Sequence, residues 1–68
     1  MHNYKRREEY IIKVGDNYFT ELTRFREVVN TTDDIFKATI YQTKSYANKL
    51  ANYIRTLVQD NVSVVKIR

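Results

Sequence analysis

Few residues in this chain of 68 could carry out bond-making chemistry. Its adjacent carboxylate pairs are Glu8-Glu9 and Asp33-Asp34. Sequence neighbours on a helix point about 100° apart, so Asp33 and Asp34 cannot converge on one reacting atom. They follow Thr31-Thr32, and Thr31 with Asp34 has the spacing of a capping box, with acid at the positive end of a helical turn. His2, the one histidine, has no second ligand at metal spacing. There is no cysteine, which removes disulfides, thiolate nucleophiles and thiolate metal sites. Ser45 and Ser63 lack a histidine to activate them. Gly15, the single glycine, cannot build a phosphate-cradling loop. The expectation is a non-enzymatic protein with no catalytic residue, cofactor or metal.

Binding chemistry is better represented. Twelve Lys and Arg against eight Asp and Glu leave a formal charge of +4, which favours anionic partners. On the polar side of a helix expected over residues 43–60, Lys44, Lys49 and Arg55 stand among Asn48, Asn52, Thr56 and Gln59, with no acid before Asp60. Such a face suits phosphates and base edges. Lys44, with the hydroxyls of Thr43 and Ser45, could hold an anion at the free helix amides. Residues 1–9 read as a flexible basic arm in which Lys5, Arg6 and Arg7 precede Glu8-Glu9. Six tyrosines add stacking surface for single strands. Nucleic acid is therefore one class of partner. Protein is the other, since Tyr, Phe and Arg dominate interface energetics.

These residues need a scaffold, and residues 10–68 are expected to supply it as one domain. The organising element is the helix at 43–60. Its apolar residues fall in neighbouring pairs, Tyr46/Ala47, Leu50/Ala51, Tyr53/Ile54 and Leu57/Val58, the recurrence of one buried stripe. Thr43 or Ser45 caps its start, and Asn61 can end it in a left-handed conformation. Tyr10 to Val14 reads as a strand, Gly15-Asp16-Asn17 as a hairpin turn and Tyr18 to Leu22 as the returning strand. Residues 23–30 read as an irregular extension ending in a turn at Asn30. The Thr-Asp segment predicts a single helical turn feeding a third strand at 39–41, and residues 62–67 the last strand. The order β-β-turn-β-α-β makes an α+β fold: a small antiparallel-rich sheet with one amphipathic helix on one face.

One helix covers one face. Both alternating sets along the strands carry large apolar groups, whereas a solvated sheet face alternates more cleanly. The opposite face, with Tyr10, Ile11, Phe19, Val65 and Ile67, is thus expected to be an interface, unless sheet twist and the segment from Phe25 to Val29 cover it. A chain this short buries only about 60% of its unfolded surface, which favours a homodimer or a larger partner. No apolar run approaches the roughly 18 residues of a membrane span, and no signal-peptide core follows the N-terminus. A cytoplasmic location and no membrane partner are expected.

Taken together, YIIKVGDNYFTEL, TTDDIFKATIYQTKSYANKLA and VSVVKIR resemble the small accessory proteins of phages and prophages of Gram-positive bacteria. The resemblance covers residues 10–68 and lies in layout rather than in a diagnostic motif. It implies a non-enzymatic factor, in the host cytoplasm, that docks on a host or phage protein. Some members of that group inhibit host enzymes or defence systems, including CRISPR effectors. Many such inhibitors are acidic mimics of DNA, and the basic character of this chain departs from that pattern.

Overall fold

The hairpin sets the frame of the computed structural model, which describes residues 8–25 and 28–68. Strand β1 (Tyr10–Val14) turns through Gly15-Asp16 into β2 (Asn17–Leu22). Gly15 sits at φ +60°, a conformation that side chains with a Cβ resist. The two strands pair only at Lys13↔Tyr18 and Val14↔Asn17. Beyond that point the later chain enters between them. Thr39 N–H donates to the Phe19 carbonyl of β2, and Tyr41 exchanges both backbone hydrogen bonds with Tyr10 of β1.

β2 next pairs with β3 (Val29–Thr32), with a bulge at Thr20 between Phe19 and Glu21. The bulge reverses the side-chain alternation. Leu22 thereby joins Phe19 at the core while Glu21 faces water. Side chains hold the irregularity: Thr20 Oγ1 donates to the Asn30 carbonyl, and Thr39 Oγ1 donates to the Thr20 carbonyl. A 3₁₀ turn (Ile35–Lys37) follows, and then helix α1 (Lys44–Arg55) and strand β4 (Val62–Lys66). β4 pairs with the whole of β1, so the described residues form an antiparallel sheet in the order β3-β2-β1-β4. α1 lies on it. Ala51 and Ile54 pack with Ile12, Val14, Phe19 and Val62, and alanine lets the helix approach the sheet closely. This is the α+β fold expected from the sequence.

Three local expectations change. The third strand is 29–32 rather than 39–41, where only the isolated Tyr10↔Tyr41 bridge forms, and Asn30, expected as a turn, pairs with Glu21 inside it. Thr31-Thr32 is β-branched and pairs with β2, so the cap passes to Asp34, whose carboxylate accepts from Phe36 N–H. Secondly, α1 ends at Arg55. Thr56 caps it in a right-handed conformation, its hydroxyl donates to the Tyr53 carbonyl, and the amides of Leu57 and Val58 both turn to the Ile54 carbonyl. Asn61 therefore lies just before β4 and does not cap the helix. Finally, the expected interface face is largely closed. Ile11 has no exposed surface, Tyr10 is buried, and Phe19 belongs to the helix-side core. Only Val65, half-buried, and Ile67, exposed, remain accessible from that set.

Of the arm at 1–9, residues 1–7, including Lys5, Arg6 and Arg7, lie outside the described residues. Glu8 and Glu9 belong to the sheet margin. Glu9 pairs through its backbone with Ile67 and Arg68, and the Glu8 carboxylate accepts from Tyr10 and pairs with Lys66 at 3.3 Å. The Tyr10 hydroxyl, followed by Lys66, draws the Glu8 pKa below its ordinary value. No helix of the described residues is long and apolar enough to cross a membrane.

Candidate binding groove between α1 and β2

The pairing of apolar residues along α1 now has a structural meaning. A stripe two residues wide is broader than the contact the helix makes with β1 and β4. The second member of the first three pairs, Ala47, Ala51 and Ile54, is fully buried. The first members, Tyr46, Leu50 and Tyr53, follow the i, i+4, i+7 line beside it and stay partly exposed. They form one wall of a groove of about 590 Å³. The facing wall is β2 and its continuation, from Phe19 to Arg24, which α1 leaves unroofed. Tyr41, placed by its bridge to Tyr10, closes one part of the lining.

The floor is apolar and continuous with the core through Phe19, Leu22 and Leu50. The tyrosines are amphipathic. Tyr41 and Tyr46 pack as a tilted pair, centroids 5.6 Å apart at 44°. Burial, with the neighbouring Tyr46 second, pushes the Tyr41 hydroxyl up to about 12, so it stays a neutral donor across ordinary pH. Charge is placed at the rim. Lys49 lies on the helix wall and Arg24 on the strand wall, and Glu21 is the single acid of the lining. Arg24 also stacks its guanidinium 5.4 Å from the Phe25 ring centroid.

The cations expected to act together on the helix are separated. At about 100° per residue, Lys49 points roughly 140° away from Lys44, and Arg55 lies three turns beyond Lys44 along the axis. Arg55 is also engaged within the fold, donating to the Val62 carbonyl and to Asn52. Lys44 remains exposed at the helix start. There the Thr43 hydroxyl accepts the Tyr46 amide at 3.3 Å, which takes that helix-start amide away from an anion. Of the three, Lys49 alone lines the groove.

Tyr41, Glu21, Leu22 and Arg24 were not legible as site residues, because a long-range bridge and the lateral position of the helix bring them together. The doubled stripe on α1 was the one sequence signal. The site contains tyrosine hydroxyls, threonines, one carboxylate and two cations, a set suited to recognition. Among the described residues no group of His, Asp and Glu could hold a metal ion. Compared with protein-family models, curated proteins and solved structures, the chain has no match.

Proposed function

We propose that this protein is a small non-enzymatic binding module that docks a protein partner in the α1–β2 groove. The observation that carries the reading is the groove itself: an apolar floor open to water between two secondary-structure walls, rimmed by aromatic and cationic side chains. A concave surface that joins apolar anchoring area to oriented polar groups is a usual form of recognition site, and in this lining the polar share is the larger. Tyrosine and arginine are also the side chains that most often anchor partners. The resemblance to phage accessory proteins supports the setting, a mobile-element factor that modulates a host or phage protein in the host cytoplasm, with inhibition of a host defence as one mode. A homodimer through the exposed Ile67 end of the sheet is compatible with the same role.

Nucleic acid is the competing reading, supported by the net charge, by Lys44 and Lys49, and by the tyrosines. The engagement of Arg55 and the divergence of Lys49 from Lys44 count against it. Light scattering after size exclusion, with a mixed-sequence oligonucleotide at low and moderate salt, decides between them. We expect no change of mass with the oligonucleotide. Immobilised protein should retain a stoichiometric partner from a Gram-positive host lysate, and the Tyr46→Ala/Tyr53→Ala double variant should lose it. A mass increase with oligonucleotide that collapses as salt rises would transfer the function to nucleic acid.

A further inference from the structure

We infer that the segment taken up by the groove is an acidic–apolar peptide: an extended stretch with a large apolar side chain flanked by Asp or Glu. The inference rests on the docking role proposed above and specifies the chemistry of its ligand. Leu22 and Leu50, half-buried over the buried Phe19, form a floor that a leucine or aromatic side chain can cover, removing apolar surface from water on both partners. Lys49 on the helix wall and Arg24 on the strand wall line the same groove, both exposed, with the Arg24 guanidinium beside the Phe25 ring. A carboxylate adjacent to the apolar anchor meets a cation on either side. Charge complementarity of this kind sets register and excludes lysine-bearing competitors.

Glu21 decides against a polyanion. It lies in the strand wall between Leu22 and the bulge, and a continuous phosphate backbone along the groove would have to pass it. A peptide places its charges discretely and need not. Base stacking also requires free ring faces, and Tyr41 is already packed against Tyr46.

The test is a titration of the full ¹⁵N-labelled chain, followed by amide shifts, with three probes: a blocked Asp-Leu-Phe-Glu peptide, its Lys-Leu-Phe-Lys counterpart, and a thymidine hexanucleotide. The acidic peptide should move amides of Leu22, Lys49 and Leu50, and the lysine counterpart should bind roughly tenfold more weakly. Lys49→Glu and Arg24→Glu, both on exposed positions, should each remove most of that preference while circular dichroism stays unchanged. Equal shifts from both peptides would overturn the acidic specificity and leave the docking role standing. Groove shifts from the hexanucleotide alone would overturn both. No shift from either peptide would overturn this inference, with the docking role then resting on the lysate capture and its double variant.

Discussion

Arg55 and Val62 close the C-terminal end of the helix onto the edge of the sheet. The guanidinium donates from Nε at 3.2 Å and from Nη2 at 2.7 Å to the Val62 carbonyl. Flanking the β1–β4 ladder, the Asn61 carbonyl accepts from the Gly15 amide and the Ile67 amide donates to the Glu9 carbonyl. By the alternation of an antiparallel pair, residues 62, 64 and 66 then turn their backbone groups outward. Arg55 thus occupies one acceptor on an edge that would otherwise template pairing with another chain. It also puts a cation at the negative end of the α1 dipole.

Arg55→Ala should lower stability by about 1–2 kcal/mol, the lower part of the range for charge-assisted hydrogen bonds because the side chain is exposed. Urea unfolding measures this directly. Arg55→Lys should recover less than half of the loss, since one ammonium cannot reproduce the two-nitrogen contact. The alanine variant should also gain mass with concentration in light scattering, as the edge carbonyl becomes free. An unchanged midpoint and mass would show that the contact guards nothing.

Gly15 is held by its backbone rather than by crowding. A Cβ placed there would meet Asp60 only at an ordinary 3.6 Å, but φ is +60°. Gly15→Ala should therefore cost about 1–2 kcal/mol, the penalty of a left-handed conformation for an L side chain. Gly15→Asn should cost less, because asparagine tolerates that region. Thermal melts of the two variants give the ranking, and equal losses would point to a steric cause instead.

The start of α1 offers a similar comparison. Thr43 Oγ1 accepts the Tyr46 amide, whereas Ser45 lies inside the helix with its side chain exposed. Thr43→Ala should cost about 1 kcal/mol by loss of the cap, and Ser45→Ala should stay within about 0.5 kcal/mol of the wild type. Chemical denaturation of both variants distinguishes them, and a larger loss at Ser45 would move the cap.

The hairpin and the helix were legible because their signals are local: one glycine between two β-branched runs, and an apolar period near 3.6. The third strand was not, because Thr31-Thr32-Asp33-Asp34 is both β-branched and cap-forming. Only the pairing of Thr31 and Thr32 with β2 resolves that ambiguity. The helix end was misplaced for a comparable reason. Leu57 and Val58 continue the apolar period, yet the Leu57 amide takes the Ile54 carbonyl in a tighter i→i−3 bond as the chain turns towards β4. At the site, Lys49 was recognised by type, but its partners were hidden. Whether a helix roofs β4 and β1 or β2 and β3 is a property of the whole packing, and the groove exists only because α1 sits to one side. The sequence presents Arg55 as a free cation because nothing local announces a carbonyl seven residues on.

Tyr41 gives the groove a signature in alkaline solution. Burial raises its pKa from the ordinary value near 10 to about 12, so the folded chain keeps this proton longer than the unfolded chain does. The unfolded state therefore binds fewer protons between pH 10 and 12, and stability must fall as pH rises through that window. Below pH 10 the contribution is fully present. Tyr41→Phe, which cannot ionise, should flatten this part of the alkaline decline. It should also remove the highest-pH step from the phenolate absorbance titration of the folded protein. A peptide seated in the groove should bury the ring further and move that step higher still. A Tyr41 step that stays near 10 would mean that the ring is open to solvent, and the wall it forms would be lost from the site.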